Sequence, residues 1–213
     1  VGEKYVVPNI KILRTVEEIR EYNFPENCCI KPTHSCGENI FKKNNDKFNK
    51  ELIERMLFLD YFLKTREENY RPLIPKVIVE PLLFNTTNIN DYKVFCFNGV
   101  PKFILVAIDR YINLKRNFFD LQWKPLNFAV DWHNTTKKIA KPENLDEMIN
   151  VARKLSEPFR EFIRVDLYTD GKICKVGEIT NNVSPTLFVF SESGGLQKFI
   201  PPEGEKTLSK ILF

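Results

Sequence analysis

Apolar residues along the chain recur with two periods, and the change from one to the other marks out the elements. Between residues 49 and 65, Leu52, Ile53, Met56, Leu57, Leu59 and Tyr61 recur at roughly helical spacing, which predicts a helix there. Residues 145–162 repeat the pattern with Leu145, Met148, Ile149, Ala152, Leu155 and Phe159; Pro158 inside this run is placed to kink the helix or end it early. A shorter helix is expected after Thr15, because Thr15 followed by Glu18 makes a capping box. Short apolar runs read instead as strands: Cys28-Cys29-Ile30 ending at Lys31-Pro32, a return strand from Ile40-Phe41, and residues 77–83. Residues 92–97 and 103–108 follow, with Asn98-Gly99 between them, a two-residue hairpin signal because both positions then need positive φ. A second hairpin is expected from residues 163–168 and 173–179 about Asp170-Gly171. A two-residue turn there sets Asp166 opposite the Lys175 region, with Glu178 towards the outer end of the partner strand. The order is α+β, antiparallel hairpins carrying helices on one side.

Composition leaves that reading intact and removes others. A chain of 213 residues can hold one large domain or two small lobes. The 18 Phe residues are spread along it, so they read as core. Five cysteines, an odd number with no C-x-x-C pair, argue against a disulfide framework or zinc site and make a reducing cytoplasm the expected setting. No apolar run is long enough to span a membrane. A net charge of +4 is mild, and the basic residues are not interleaved with aromatic ones on one face, so nucleic acid is not the expected partner. Nucleotide phosphates or a polyanionic substrate suit the excess charge as well.

Four stretches carry candidate chemistry. In Arg164-Val165-Asp166 the alternation of a strand places Arg164 and Asp166 on one face. Glu178, with the amides of Asn181 and Asn182, adds hard oxygen donors suited to Mg²⁺, which needs few protein ligands beside phosphates. An arginine beside a metal-bound phosphate stabilises charge in phosphoryl transfer. Spacing alone fits a surface ion pair equally well. Lys31, at a strand end before Thr33-His34-Ser35-Cys36-Gly37, can present an ammonium and backbone N–H groups to phosphates. It is not a P-loop, and taken alone a plain surface turn fits better. Glu80, before Pro81-Leu82-Leu83, has the chemistry to hydrogen-bond adenine, although an exposed strand-end Glu is the commoner case. Asp91 and Lys93 share a strand face upstream of Asp109-Arg110, and a cross-strand charge pair is the competing reading.

In this order the stretches resemble the ATP-grasp superfamily and, more closely, its teichuronopeptide-biosynthesis (TupA-like) branch. The matching blocks are Val1-Gly2-Glu3-Lys4-Tyr5 with Pro8, Lys31-Pro32 with Gly37 and Asn39-Ile40, and Pro75 with Ile78-Val79-Glu80. They continue through Asp91-Tyr92-Lys93-Val94-Phe95-Cys96-Phe97-Asn98-Gly99, Asp109-Arg110, Arg164-Val165-Asp166 with Tyr168, and Gly177-Glu178-Ile179-Thr180. The resemblance implies an ATP-grasp fold of two α+β lobes, about 1–80 and 81–213, whose antiparallel sheets enclose the nucleotide. It implies that Lys31, with Ser35 and Gly37 of the following loop, binds the ATP phosphates, and that Glu80 and the backbone at Leu82 hold the adenine. Asp91 would lie near the ribose, and Lys93 and Arg110 near the phosphates or acyl group. Arg164 would steady an acyl-phosphate or tetrahedral intermediate, while Asp166 and Glu178 ligate Mg²⁺. The usual third ligand is an Asn two residues after the Glu; Thr180 stands there, which leaves Asn181 as the candidate.

The resemblance further implies a ligase that activates a carboxylate as an acyl phosphate and couples it to an amine. The implied carboxylate is a hexuronic acid of a cell-surface polysaccharide such as a capsule; the amine is an amino acid or small amino alcohol, phosphorylated or not. The alternatives are a sugar or small-molecule kinase on the same fold and a non-catalytic glycan-binding accessory domain. The family usually carries a basic segment before the Val-Gly-Glu-Lys-Tyr block, so the chain is expected to be part of a longer polypeptide, with glycosyltransferase domains as one expected fusion.

Overall fold

In the unit formed by Val7–Thr87, alternating apolar positions build a four-stranded antiparallel sheet. Its strands are β1 (Lys11–Leu13), β2 (Cys28–Pro32), β3 (Ile40–Lys42) and β4 (Val77–Pro81), ordered β1-β4-β2-β3. Leu13, Cys28, Ile30, Val77 and Val79 bury one face against Ile19 of α1 (Val16–Glu21) and Ile53 and Met56 of α2 (Lys50–Met56). The other face carries Lys31 and Glu80, whose side chains meet across β2 and β4. At the start of α1, Thr15 Oγ1 accepts the Glu18 N–H at 3.2 Å, while the Glu18 carboxylate accepts the N–H of Arg14 at 2.5 Å, one residue before the expected partner. The helix expected over residues 49–65 is two helices. α2 ends at Met56 and α3 (Tyr61–Thr65) begins afresh where the Asp60 carboxylate accepts the Leu63 N–H at 2.9 Å. A capping aspartate stops and restarts the helix without breaking the apolar spacing, so periodicity alone runs through it.

The computed structural model describes residues 1–44, 47–127, 129–130, 134–181 and 190–191. The second unit, Val1–Val6 with Asn88–Phe213, holds a six-stranded antiparallel sheet. It contains β5 (Asp91–Phe97), β6 (Val100–Ile108), β7 (Lys115–Phe119) and β8 (Pro125–Leu126), with β9 (Ala129–Val130) pairing outside it. After α4 (Leu145–Ser156) come β10 (Phe162–Thr169), β11 (Cys174–Thr180) and β12 (Phe190–Ser191), the partner of β9. The sheet order is β11-β10-β5-β6-β7-β8, so β10 and β5 are both interior strands. Tyr92, Val94, Cys96, Ile104, Val106, Ile163, Val165 and Leu167 share the core with Leu145, Met148, Ile149 and Ala152 of α4. That helix stops short of Pro158, as the missing N–H and ring clash of proline require.

The Asn98-Gly99 turn forms as the sequence requires, with φ of 50° and 76° and Phe97 paired to Val100. The second hairpin departs from expectation. Thr169 pairs with Cys174, so four residues rather than two make the turn. Asp170 Oδ1 holds it by accepting the N–H groups of Lys172 and Ile173 at 2.9 and 2.8 Å. A bulge after Asp166 shifts the register again, bringing Asp166 opposite Glu178 and leaving Lys175 opposite Tyr168.

Two consequences are measurable. Gly99 has positive φ, and an added Cβ would lie 3.0 Å from the Glu157 Cα. Gly99→Ala is expected to lower stability by about 1–3 kcal/mol in urea unfolding; an unchanged midpoint would contradict this packing. His34, in the loop after β2, is 4% exposed, and burial pushes its imidazole below the ordinary 6.5. The unfolded chain therefore binds a proton that the folded chain resists, so stability is lost as pH falls below about 6.5 and is unaffected above it. His34→Gln should flatten that part of the decline between about pH 7 and pH 5; parallel curves for parent and variant would rule out a buried neutral ring.

Candidate functional site

Strand register brings the sequence-selected charges of the second unit onto one sheet face. Asp166 in β10 pairs with Lys93 in β5 and with Glu178 in β11; Tyr168 pairs with Asp91, and Arg164 with Thr180. Paired residues project to the same side, so these groups lie opposite the face that packs on α4. Phe95, Phe103, Leu105, Ala107 and Phe118 form an apolar cluster, of which Leu105 and Ala107 pair directly with Lys93 and Asp91.

The charges alternate along a continuous chain of contacts. Arg110 Nη1 donates to Asp91 Oδ2 at 2.9 Å, and Lys93 Nζ lies 2.8 Å from the same oxygen. Lys93 Nζ also donates to Asp166 Oδ2. Arg164 clamps Asp166 with two donors, Nε to Oδ1 at 2.6 Å and Nη2 to Oδ2 at 2.9 Å. The same Nη2 reaches Glu178 Oε1 at 3.0 Å, and the Thr180 hydroxyl donates to that oxygen at 2.8 Å. Asp91 and Asp166 are 1% and 2% exposed, so this is not the surface ion pair that spacing alone allowed. Burial pushes the Asp166 carboxyl up, but the Lys93 ammonium and the Arg164 guanidinium outweigh it and hold it below the usual carboxylate range. Deleting one partner of such a pair leaves a buried charge and costs on the order of 3–5 kcal/mol.

In the unit Val7–Thr87, Lys31 Nζ lies 2.7 Å from Glu80 Oε2, and Glu80 is 8% exposed rather than an open strand end. Leu82 is buried, and its N–H already donates to the Asn27 carbonyl at 2.7 Å. Gly37 has φ of +88° with open space beside it, and Ser35 Oγ is buried with no hydrogen-bond partner among the described residues. Asn181 is exposed, one residue beyond β11; Thr180 is the residue that touches Glu178. Asn182 lies outside the described residues.

Donor chemistry decides whether this site suits a metal nucleotide. Among the described residues no group of three or more His, Cys, Asp and Glu is disposed to hold a metal ion. Asp166 and Glu178, cross-strand neighbours, nevertheless supply two carboxylates on one face beside the Thr180 hydroxyl. That set fits Mg²⁺, which keeps waters and phosphate oxygens in its shell, and does not suit zinc.

Two residues in the matching blocks had no role assigned from sequence. The Tyr168 ring lies over Gly177, where an added Cβ would come within 2.5 Å of Cε2. Burial, then the Asp91 charge, raises the Tyr168 pKa, so its hydroxyl stays protonated beside the carboxylates. A glycine inside a strand is the signal for such a bulge and close approach. Gly177→Ala is expected to destabilise by about 1–3 kcal/mol through displacement of the Tyr168 ring. In a Tyr168→Ala background that penalty should largely vanish, and a double-mutant cycle with no coupling would refute the contact.

The family model described as TupA-like ATP-grasp matches residues 1–199. No curated protein matches the chain. Among solved structures, D-alanine–D-alanine ligase from Bacillus anthracis complexed with ATP is similar at 17% identity, covering 82% of this chain and 47% of that one with a TM-score of 0.40. D-Alanine–D-alanine ligase from Helicobacter pylori is similar at 16% identity, with 97% and 55% coverage and a TM-score of 0.42. The ATP-grasp ligase PsnB, complexed with a phosphomimetic variant of its minimal precursor, Mg and ADP, shows 15% identity, 82% and 44% coverage and a TM-score of 0.40. The chain thus spans about half the length of these ligases. The family match extends over nearly the whole sequence, and the chain belongs to the TupA-like ATP-grasp family.

Proposed function

We propose that the chain carries out ATP-dependent ligation of a carboxylate to an amine, with the carboxylate on a hexuronic acid of a cell-surface polysaccharide. The observation that carries the reading is the buried alternation Arg110–Asp91–Lys93–Asp166–Arg164–Glu178 on one sheet face. Phosphoryl transfer needs little covalent chemistry from the protein; it needs cations held where charge develops and oxygens that accept a metal. This face supplies both. Lys93 and Arg164 are held beside the two carboxylates by Asp166, from which a bound metal would free them towards phosphate oxygens.

Within this reading Lys31 would contact the phosphates and Glu80 the adenine. Asp91, whose Oδ1 is buried and without a hydrogen-bond partner among the described residues, would lie near the ribose. Asp166 and Glu178 would hold Mg²⁺, which when bound offsets phosphate charge. The γ-phosphoryl group would pass to a carboxylate oxygen to give an acyl phosphate, and the amine nitrogen would then displace phosphate as it loses a proton. Arg164 and Lys93 would neutralise the equatorial oxygens of the transferring group, with Arg110 beside the acyl end.

Purified protein with ATP, Mg²⁺, a hexuronic acid and an amine should release ADP only when both substrates are present, with the amide identified by mass spectrometry. A stable phosphate ester formed without amine would identify a kinase instead, and no turnover with any pair would favour a non-catalytic glycan-binding role. Arg164→Lys, which keeps the charge but loses the two-donor clamp, should lower kcat by about 10²–10³; unchanged turnover would remove Arg164 from the chemistry.

A further inference from the structure

The charged face of the six-stranded sheet also carries a phenol. Tyr168, in β10, pairs with Asp91 of β5 on one side and with Lys175 of β11 on the other. Its ring reaches along β11 to Gly177, where an added Cβ would meet Cε2 at 2.5 Å and the hydroxyl oxygen at 3.3 Å. The hydroxyl is thereby carried from the row of Asp91 towards the row that holds Asp166 and Glu178. Tyr168 is partly buried. Among the described residues its hydroxyl makes no hydrogen bond and, unlike Asp91 Oδ1, is not closed off from solvent.

The acceptors around it are engaged elsewhere. Asp91 Oδ2 takes Arg110 and Lys93, and Asp166 takes Lys93 and two donors of Arg164. Glu178 Oε1 takes Arg164 and Thr180. Asp91 Oδ1 is buried and unpartnered, and Tyr168 does not reach it. A ring kept only to fill space would pack equally well as Phe, and a glycine inside a strand weakens it. Both features are accounted for if the oxygen serves a group that arrives from outside. That group accepts a hydrogen bond, because a neutral phenol has one O–H to give. It must also lie beside Asp91, Asp166 and Glu178, which repel a bare anion but suit a nucleotide that carries its metal. In the ligase reading the nucleotide runs from a ribose near Asp91 to metal-bound phosphates at Asp166 and Glu178. The Tyr168 hydroxyl lies between the two.

We propose that the Tyr168 hydroxyl binds the nucleotide, donating its hydrogen to an oxygen of the ribose–phosphate segment. This contact rests on the ligase reading and adds a neutral donor to the charged groups already assigned. Calorimetric titration of the whole chain with Mg-ADP tests it without turnover. Tyr168→Phe keeps the ring over Gly177, so its urea midpoint should match that of the parent while its Kd for Mg-ADP rises about tenfold. The Mg complexes of 2′-deoxy-ADP and 3′-deoxy-ADP locate the acceptor. A difference between parent and variant that persists with both analogues places it on a phosphate, and one that disappears with either places it on that ribose hydroxyl. Equal Kd for Mg-ADP in the parent and in folded Tyr168→Phe would overturn the contact and leave the ligase reading standing. A parent chain that does not bind Mg-ADP would overturn both.

Discussion

The second unit is organised around one constraint, that the Asp166 carboxylate must be ionised in a place almost closed to water. A carboxylate taken out of water is strongly disfavoured unless cations and donors replace the lost hydration. Lys93 comes from the neighbouring strand β5, directly opposite Asp166, and Arg164 comes from two positions earlier in β10 itself. Strand register and charge compensation are therefore one requirement. A slip of one residue would carry Asp166 to the α4 face and Val165 to the polar one, losing both the core contacts and the ion network.

The outer strand meets the same constraint by a different route. Cys174 and Val176 lie with the α4 core, and strict alternation would send Glu178 the same way. The bulge at this point inverts the phase, so Glu178 and Thr180 reach Arg164. Gly177 permits it, because the Tyr168 ring occupies the space where a side chain would stand. Tyr168, Gly177 and Glu178 thus act as one local device, and a substitution at the glycine acts on the site through the ring.

These particulars explain what could be read from the sequence. Asn98-Gly99, Pro158 and Thr15 each act through their own backbone chemistry, and each acts where expected. Arg164 and Asp166 were legible because period two is local, as was the shared face of Asp91 and Lys93. The partnership of Asp166 with Glu178 was not, since it depends on a four-residue turn and a bulge that together move the register by three positions. β7 was missed because Lys115-Arg116-Asn117 gives it no apolar alternation; pairing with β6 makes it a strand. The break between α2 and α3 was illegible for another reason: Asp60 makes it through a side-chain hydrogen bond to the Leu63 N–H, which apolar spacing does not encode.

The balance of the network bears on what it can do. Asp91, Asp166 and Glu178 match Arg110, Lys93 and Arg164 in number, so this chain of contacts is balanced in itself, with Arg116, paired to Ala107 on the same face, as a cation beside it. Stability is a weak reason for such an arrangement, because packed apolar residues of similar volume hold a sheet as well or better. Nor is the chain a ready anion hole, since Arg110, Lys93 and Arg164 each already have a carboxylate. Arg164 and Lys93 could turn to phosphate oxygens only if Asp166 and Glu178 found another positive partner. Exchange of that kind favours ligands that bring both signs together, so the metal and the phosphates would each raise the affinity for the other. A metal nucleotide has that character and a free anion does not, which is why the charge balance of this face supports nucleotide chemistry over simple anion binding.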